Sequence, residues 1–169
     1  MKALLLAAAG LLLLPGAPEV ANPDYQRWAP FKVGSWTKMK SEIDNNGNKM
    51  ALPTELTTTL IELDEQKAVV EEALVNTMLP KDSPKQEKPK RRTYQARTKK
   101  AETIDKEGDE DLEAGGKKLA CHWVESKPQG GSKKVWLSSE VPGKVVRLEI
   151  GTAGLSGVQR LRLTAWEKK

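Results

Sequence analysis

The sequence predicts a mainly β fold, an antiparallel meander curving into a sheet or half-barrel behind an N-terminal signal helix. Three observations carry this. Apolar and polar residues alternate in runs of six to ten, the pattern of strands with one buried face. Short turns rich in Asn, Gly and Pro separate those runs. The apolar content is carried by Val, Thr, Leu and Trp, with few segments of helical period.

At the N-terminus, Lys2 precedes an Ala/Leu run from Ala3 to Leu14. At about twelve residues this is too short to span a bilayer, which needs roughly twenty. It suits the apolar core of a secretory signal, with Pro15 and Gly16 breaking the helix and cleavage expected after Ala17 or Ala21. The expected organisation is therefore a signal peptide over residues 1–21 and one β domain over 22–169. Export to the periplasm or the extracellular space follows. With Cys121 as the sole cysteine, no internal disulfide can form, and the fold must rest on its apolar core.

Ser35–Asp44 alternates, with Thr37, Met39, Ser41 and Ile43 on one face and Trp36 on the other. Asn45–Asn48, "NNGN", signals a tight hairpin because Asn and Gly tolerate positive φ. Lys49–Leu63 is Thr-rich and strand-like, and "DEQK" turns the chain into Ala68–Met78. "ELDEQKAVVEEAL" also has the composition of a helix; its Val pair and strand-like neighbours favour a strand. Residues 79–90, with three prolines and almost nothing apolar, are expected to form a flexible loop. Arg91–Thr103 reads as a polar strand at or near an edge, and Glu110–Glu113 as a short one. Lys117–Ser126 places Leu119, Cys121 and Trp123 on one face. "KKVWLS" and "VVRLEIG" follow as a hairpin closed by Pro142-Gly143, a pair suited to a type II turn. Trp136 is expected to lie near Val146 or Leu148 across this hairpin. In the final strand Leu161, Leu163 and Ala165 share one face, and Val158, Arg160, Arg162, Thr164 and Trp166 the other.

The net charge of +5 is concentrated in one place: residues 81–106 hold ten Lys/Arg against four acids. Such a patch attracts anions. Export argues against nucleic acid as the partner, which leaves contact with an anionic surface through Lys81–Lys100. The alternative is a solvated loop and an edge strand guarded by charge.

Catalytic chemistry has little to stand on. His122 is the only histidine, too few for a usual metal site, and no metal or cofactor is expected. Adjacent residues on a strand point to opposite faces, so Cys121 and His122 cannot pair as nucleophile and base. Cys121 is expected to be buried and His122 at least partly exposed. Ser138, Ser139 and Glu140 lack a partner base and read as the end of a strand leading into its turn. The five tryptophans are the unusual feature. Trp36, Trp123, Trp136 and Trp166 are the ligand-binding candidates, with Trp36, Trp136 and Trp166 expected at a half-exposed surface. An internal cavity, if present, is expected among Met39, Leu60, Leu119, Trp123 and Leu163.

The stretch from Gly116 to Glu149 resembles small exported bacterial proteins of unassigned function. The resemblance lies in an apolar-Cys-x-Trp strand ("LACHW"), a Val-Trp-x-Ser strand ("VWLS"), and a Val-Pro-Gly turn leading into Val-Arg-x-Glu ("VRLE"). More distantly, the succession of long antiparallel strands is similar to the half-barrel of the lipoprotein-carrier superfamily. That resemblance implies a curved sheet holding acyl chains in an apolar concavity, although no long helical lid is evident in this chain. The functional expectation is an exported, monomeric, non-enzymatic binding protein, with a lipid, a glycan or an envelope protein as its partner. The alternative is a cell-envelope hydrolase with an acidic site.

Overall fold

A computed structural model describes residues 19–45, 47–99, 103–128, 131–152 and 157–169. Most of the expected signal segment lies outside the described residues, as do residues 46, 129–130, 153–156 and 100–102, the last within the strand expected over Arg91–Thr103.

Strands dominate. In chain order they are β1 (Val20–Ala21), β2 (Trp36–Asn45), β3 (Asn48–Leu63), β4 (Lys67–Asn76), β5 (Lys90–Gln95), β6 (Arg97–Thr98), β7 (Lys106–Ala114), β8 (Lys117–Ser126), β9 (Gly131–Leu137), β10 (Val145–Thr152) and β11 (Gly157–Glu167). One short helix, α1 (Pro23–Trp28), follows β1. Nine strands form one antiparallel sheet in the order β5-β4-β3-β2-β11-β10-β9-β8-β7, and β1 pairs separately with β6. The sheet is curved and open, two meanders joined where β2 meets β11. Its edges are β5 and β7.

The ambiguous segment after "DEQK" is a strand, paired with β3 from Ala68 to Asn76. Asp64 makes the preceding turn, its Oδ1 accepting from the backbone N–H of Gln66 and of Lys67 at 2.8 Å each. The prolines between β4 and β5 keep that loop out of the sheet, and Gln86 ties it back. The Gln86 side chain accepts from the N–H of Asn76 and donates to its carbonyl, both at 2.9 Å.

Three expectations need correction. The strand expected over Arg91–Thr103 breaks at Ala96, whose N–H goes to the carbonyl of Gln66, and Arg97–Thr98 leaves the main sheet for β1. The strand expected over Glu110–Glu113 runs from Lys106 to Ala114, because β8 offers a full-length partner despite the acidic composition. In the hairpin, as expected, Trp136 lies in the neighbourhood of Val146 and Leu148, standing opposite Arg147 between them and sharing the larger core with Val146, with an irregularity between Val145 and Arg147. In β11 a similar irregularity lies between Leu163 and Ala165. Leu163 pairs with Met39 and Trp166 with Thr37, so Trp166 joins Leu161 and Leu163 instead of facing away from them. One inserted residue resets the two-residue period, and bulges of this kind also bend and twist a sheet.

The core has two parts. The larger gathers Met39, Leu119, Cys121, Trp136, Val141, Val146 and Leu163. The smaller joins Trp28 of α1 and Phe31 to Leu60, Ala68 and Val70 of β3 and β4. Across the middle of the sheet, Arg160 is nearly buried and is bound by Glu42, Asp44 and Glu149. Arg147 and Arg162 complete the group through Glu149 and Glu42. Burial alone would push the Glu149 carboxyl up, but the bonds from Arg160 and Arg147 hold it below the usual carboxylate range. Three cations thus meet three carboxylates, the balance a partly buried ionic group requires.

Candidate functional site

The N-terminal segment closes over the β7–β9 end of the sheet and leaves a cavity of about 430 Å³ that opens to solvent. Val20 and Ala21 of β1 with Pro23, Gln26 and Arg27 of α1 form one wall. The other comprises Glu107 of β7, His122 and Val124 of β8, Leu137 of β9, and Ile104 and Lys144. His122 and Val124 are two apart on one strand, so both face the cavity.

The lid is held at several points. Asn22 caps α1, its Oδ1 accepting from the N–H of Asp24 at 3.0 Å, and Pro23 occupies the first helical position, where a missing N–H costs nothing. The N–H of Asn22 donates to the carbonyl of Ala96 at 2.9 Å, and the Tyr25 hydroxyl donates to the carbonyl of Asp64 at 2.9 Å. Trp28 lies against the β9–β10 turn so closely that a Cβ on Gly143 would stand 2.6 Å from its ring. This turn is the one anticipated from Pro142-Gly143. Gly143 has φ +66, and the N–H of Lys144 closes the turn on the carbonyl of Val141 at 2.8 Å.

The lining mixes aliphatic side chains with a few charged ones. His122 Nδ1 lies 3.0 Å from Asp109 and Nε2 3.5 Å from Glu107. The bond to Asp109 raises the imidazole above its usual value, assisted by the charges of both carboxylates. Lys144 has φ +59 and is the only non-glycine residue with positive φ among the described residues. Its carbonyl accepts from the N–H of Ser138 at 2.7 Å. Arg27 is bound to Asp24 at 2.7 Å. None of the lining residues is Ser, Thr or Cys. Cys121 is buried in the larger core, its thiol pushed up by desolvation, while His122 on the opposite face is half exposed. Among the described residues no group of His, Cys, Asp and Glu is placed to hold a metal ion.

None of the four candidate tryptophans lines this cavity. Trp36 donates to Glu167 at 3.0 Å, and Trp166 packs on the larger core with Lys117 over its ring. Trp123 packs on that core too, with the Lys134 ammonium 3.7 Å from its ring centre. Trp136, expected to be half exposed, is only 3% exposed and donates to Glu110 at 2.8 Å. Lys134 and Arg147 lie over its ring at 4.7 and 4.6 Å, so its polar neighbours cover it. Of the residues expected to enclose a cavity, Met39, Leu119 and Leu163 belong to the larger core, with Trp123 packed against it, and Leu60 belongs to the smaller cluster. The lid wall went unread in the sequence, although Asn22-Pro23-Asp24 is a helix-start signal and Ile104 is an isolated aliphatic in a polar stretch. In the basic segment, Lys90 pairs with Glu87, Arg91 with Glu71 and Arg92 with Glu72.

No family model matches the chain, and no curated protein matches it. Solved structures do. A protein of Parabacteroides distasonis provisionally described as a lipoprotein aligns with TM-score 0.51 and 10% identity, covering 83% of this chain and 98% of that one. A protein of Bacteroides fragilis provisionally described as exported, with a YmcC-like fold, aligns with TM-score 0.48 and 11% identity over 88% of this chain and 100% of that one. A Vibrio parahaemolyticus domain provisionally described as outer membrane lipoprotein-sorting aligns with TM-score 0.30 and 9% identity over 81% and 86%. At these identities the likeness to the Parabacteroides structure is one of fold.

Proposed function

We propose that this chain is an exported, non-enzymatic binding protein that holds a small apolar or amphiphilic molecule between its N-terminal segment and the β7–β9 end of the sheet. The observation that carries the reading is the cavity itself. Val20, Ile104, Val124 and Leu137 give it an aliphatic wall, Arg27, Glu107, His122 and Lys144 add charged or titratable groups, and its volume of about 430 Å³ lies in the usual range for small-molecule sites. An aliphatic wall suits a hydrocarbon chain better than a sugar ring, which is usually held on an aromatic face. Export rests on the Ala/Leu-rich N-terminus. The fold shared with a protein described as a lipoprotein fits a place in the cell envelope.

Native mass spectrometry of the protein purified from its own envelope tests this. A lipid-like adduct is expected on the wild-type chain and its loss in Leu137→Trp, where the larger side chain fills the cavity. Wild-type protein that stays empty after incubation with a series of single-chain amphiphiles would sink the reading.

A further inference from the structure

We propose that the cavity selects single-chain amphiphiles with an anionic head, carboxylate or phosphate, and that Lys144 reads that head. The inference rests on the binding reading above and adds the ligand's charge. The lining carries Arg27 and Lys144 against Glu107, with His122 between them. Its formal charge is therefore +1 with a neutral imidazole and +2 with a protonated one. Most of these groups already have partners: Arg27 holds Asp24, and His122 lies between Asp109 and Glu107. Lys144 makes no salt bridge among the described residues and is left to meet a ligand.

Its backbone is the second observation. A left-handed conformation is cheap for Gly and Asn and strained for other residues. Gly143 takes φ +66 in the turn, and the next residue is also left-handed but is a lysine. Two backbone bonds fix it there, from its N–H to Val141 and from the Ser138 N–H to its carbonyl. Non-glycine strain that the surroundings over-determine clusters at ligand clamps. Lys144 lines the same cavity as Val124 and Leu137, so a chain held on those aliphatic side chains can bring its head to this cation.

The test measures calorimetric affinity for four probes below their micelle concentrations: dodecanoate, dodecyl phosphate, 1-dodecanoylglycerol and dodecyltrimethylammonium. Either anion is expected to bind roughly tenfold tighter than the neutral probe, the worth of one charge-assisted hydrogen bond. The cation is expected to bind weakest. Lys144→Gln should bring the anions down to the neutral probe and leave the neutral probe unchanged, while Lys144→Arg should keep the preference. Circular dichroism checks that both variants fold. A better grip on phosphate than on carboxylate, or the reverse, identifies the head. If all four probes bind alike and Leu137→Trp abolishes them all, the head-group inference is overturned and the cavity reading stands. If none binds, both fall.

Discussion

Gly143 shows how one backbone conformation connects sequence to site. Its φ of +66 is that of the third position of a type II turn, and Trp28 occupies the space where a side chain would be. Gly143→Ala would meet two costs, roughly 1–2 kcal/mol for the left-handed alanine and a further ~1–3 kcal/mol of overpacking against the indole. A drop in the urea midpoint is expected, with a changed tryptophan emission as Trp28 is pushed off the turn. A drop no larger than the backbone cost, with unchanged emission, would mean that the lid does not bear on this turn. The position was legible from Pro142-Gly143, but its neighbour Trp28 was not, because nothing local says which aromatic will cross a turn from far away in the chain. Trp136 makes the complementary point. Lys134 and Arg147 beside it in space suggest solvent only until their stems are seen lying over the ring.

Among the elements, the strands of the main sheet could be read because alternation and turn chemistry are local. Bulges could not, since an extra residue is defined only against the partner strand. That is why alternation alone places Trp166 on the wrong face of β11. The lid failed to be read for a different reason. A two-residue strand and a six-residue helix have almost no stability of their own and exist through contacts with β6, the Gly143 turn and the smaller core. This has a consequence for processing. Val20 and Ala21 both pair with β6 and wall the cavity, so cleavage after Ala21 would remove β1 and cleavage after Ala17 would keep it. A chain beginning at Asn22 is expected to fold, since α1 and both cores remain, but to bind amphiphiles several-fold more weakly than one beginning at Pro18. The two can be compared by calorimetry with dodecanoate as the probe. Equal affinity would show that β1 does not form part of the binding wall.

At the scale of the whole molecule, the ionic groups set a pH window for stability. Asp44 is held below its usual value first by its bond from Arg160, and Glu149 by the guanidiniums of Arg160 and Arg147 against the upward push of burial. A carboxyl depressed in the folded chain stabilises fully above its unfolded value and loses that contribution as pH falls through the folded one. This limb therefore lies below the ordinary carboxylate range, 3.8 for Asp and 4.5 for Glu. His122 works in the opposite sense. Its folded value is raised above 6.5, chiefly by Asp109, so its contribution is complete below 6.5 and is lost as pH rises through the raised value. Stability should be greatest between these limits and should decline on both sides, more steeply on the acid side, where several buried or bonded carboxylates titrate together. Urea midpoints measured from pH 3 to 8.5 check this. Asp109→Asn should flatten the alkaline limb and leave the acid limb in place. A decline above pH 6.5 that survives the substitution unchanged would assign it to groups other than the His122–Asp109 pair. Because His122 lines the cavity, the same titration should be run with dodecanoate present. An anion in the cavity favours the protonated imidazole, so the alkaline decline should move to higher pH.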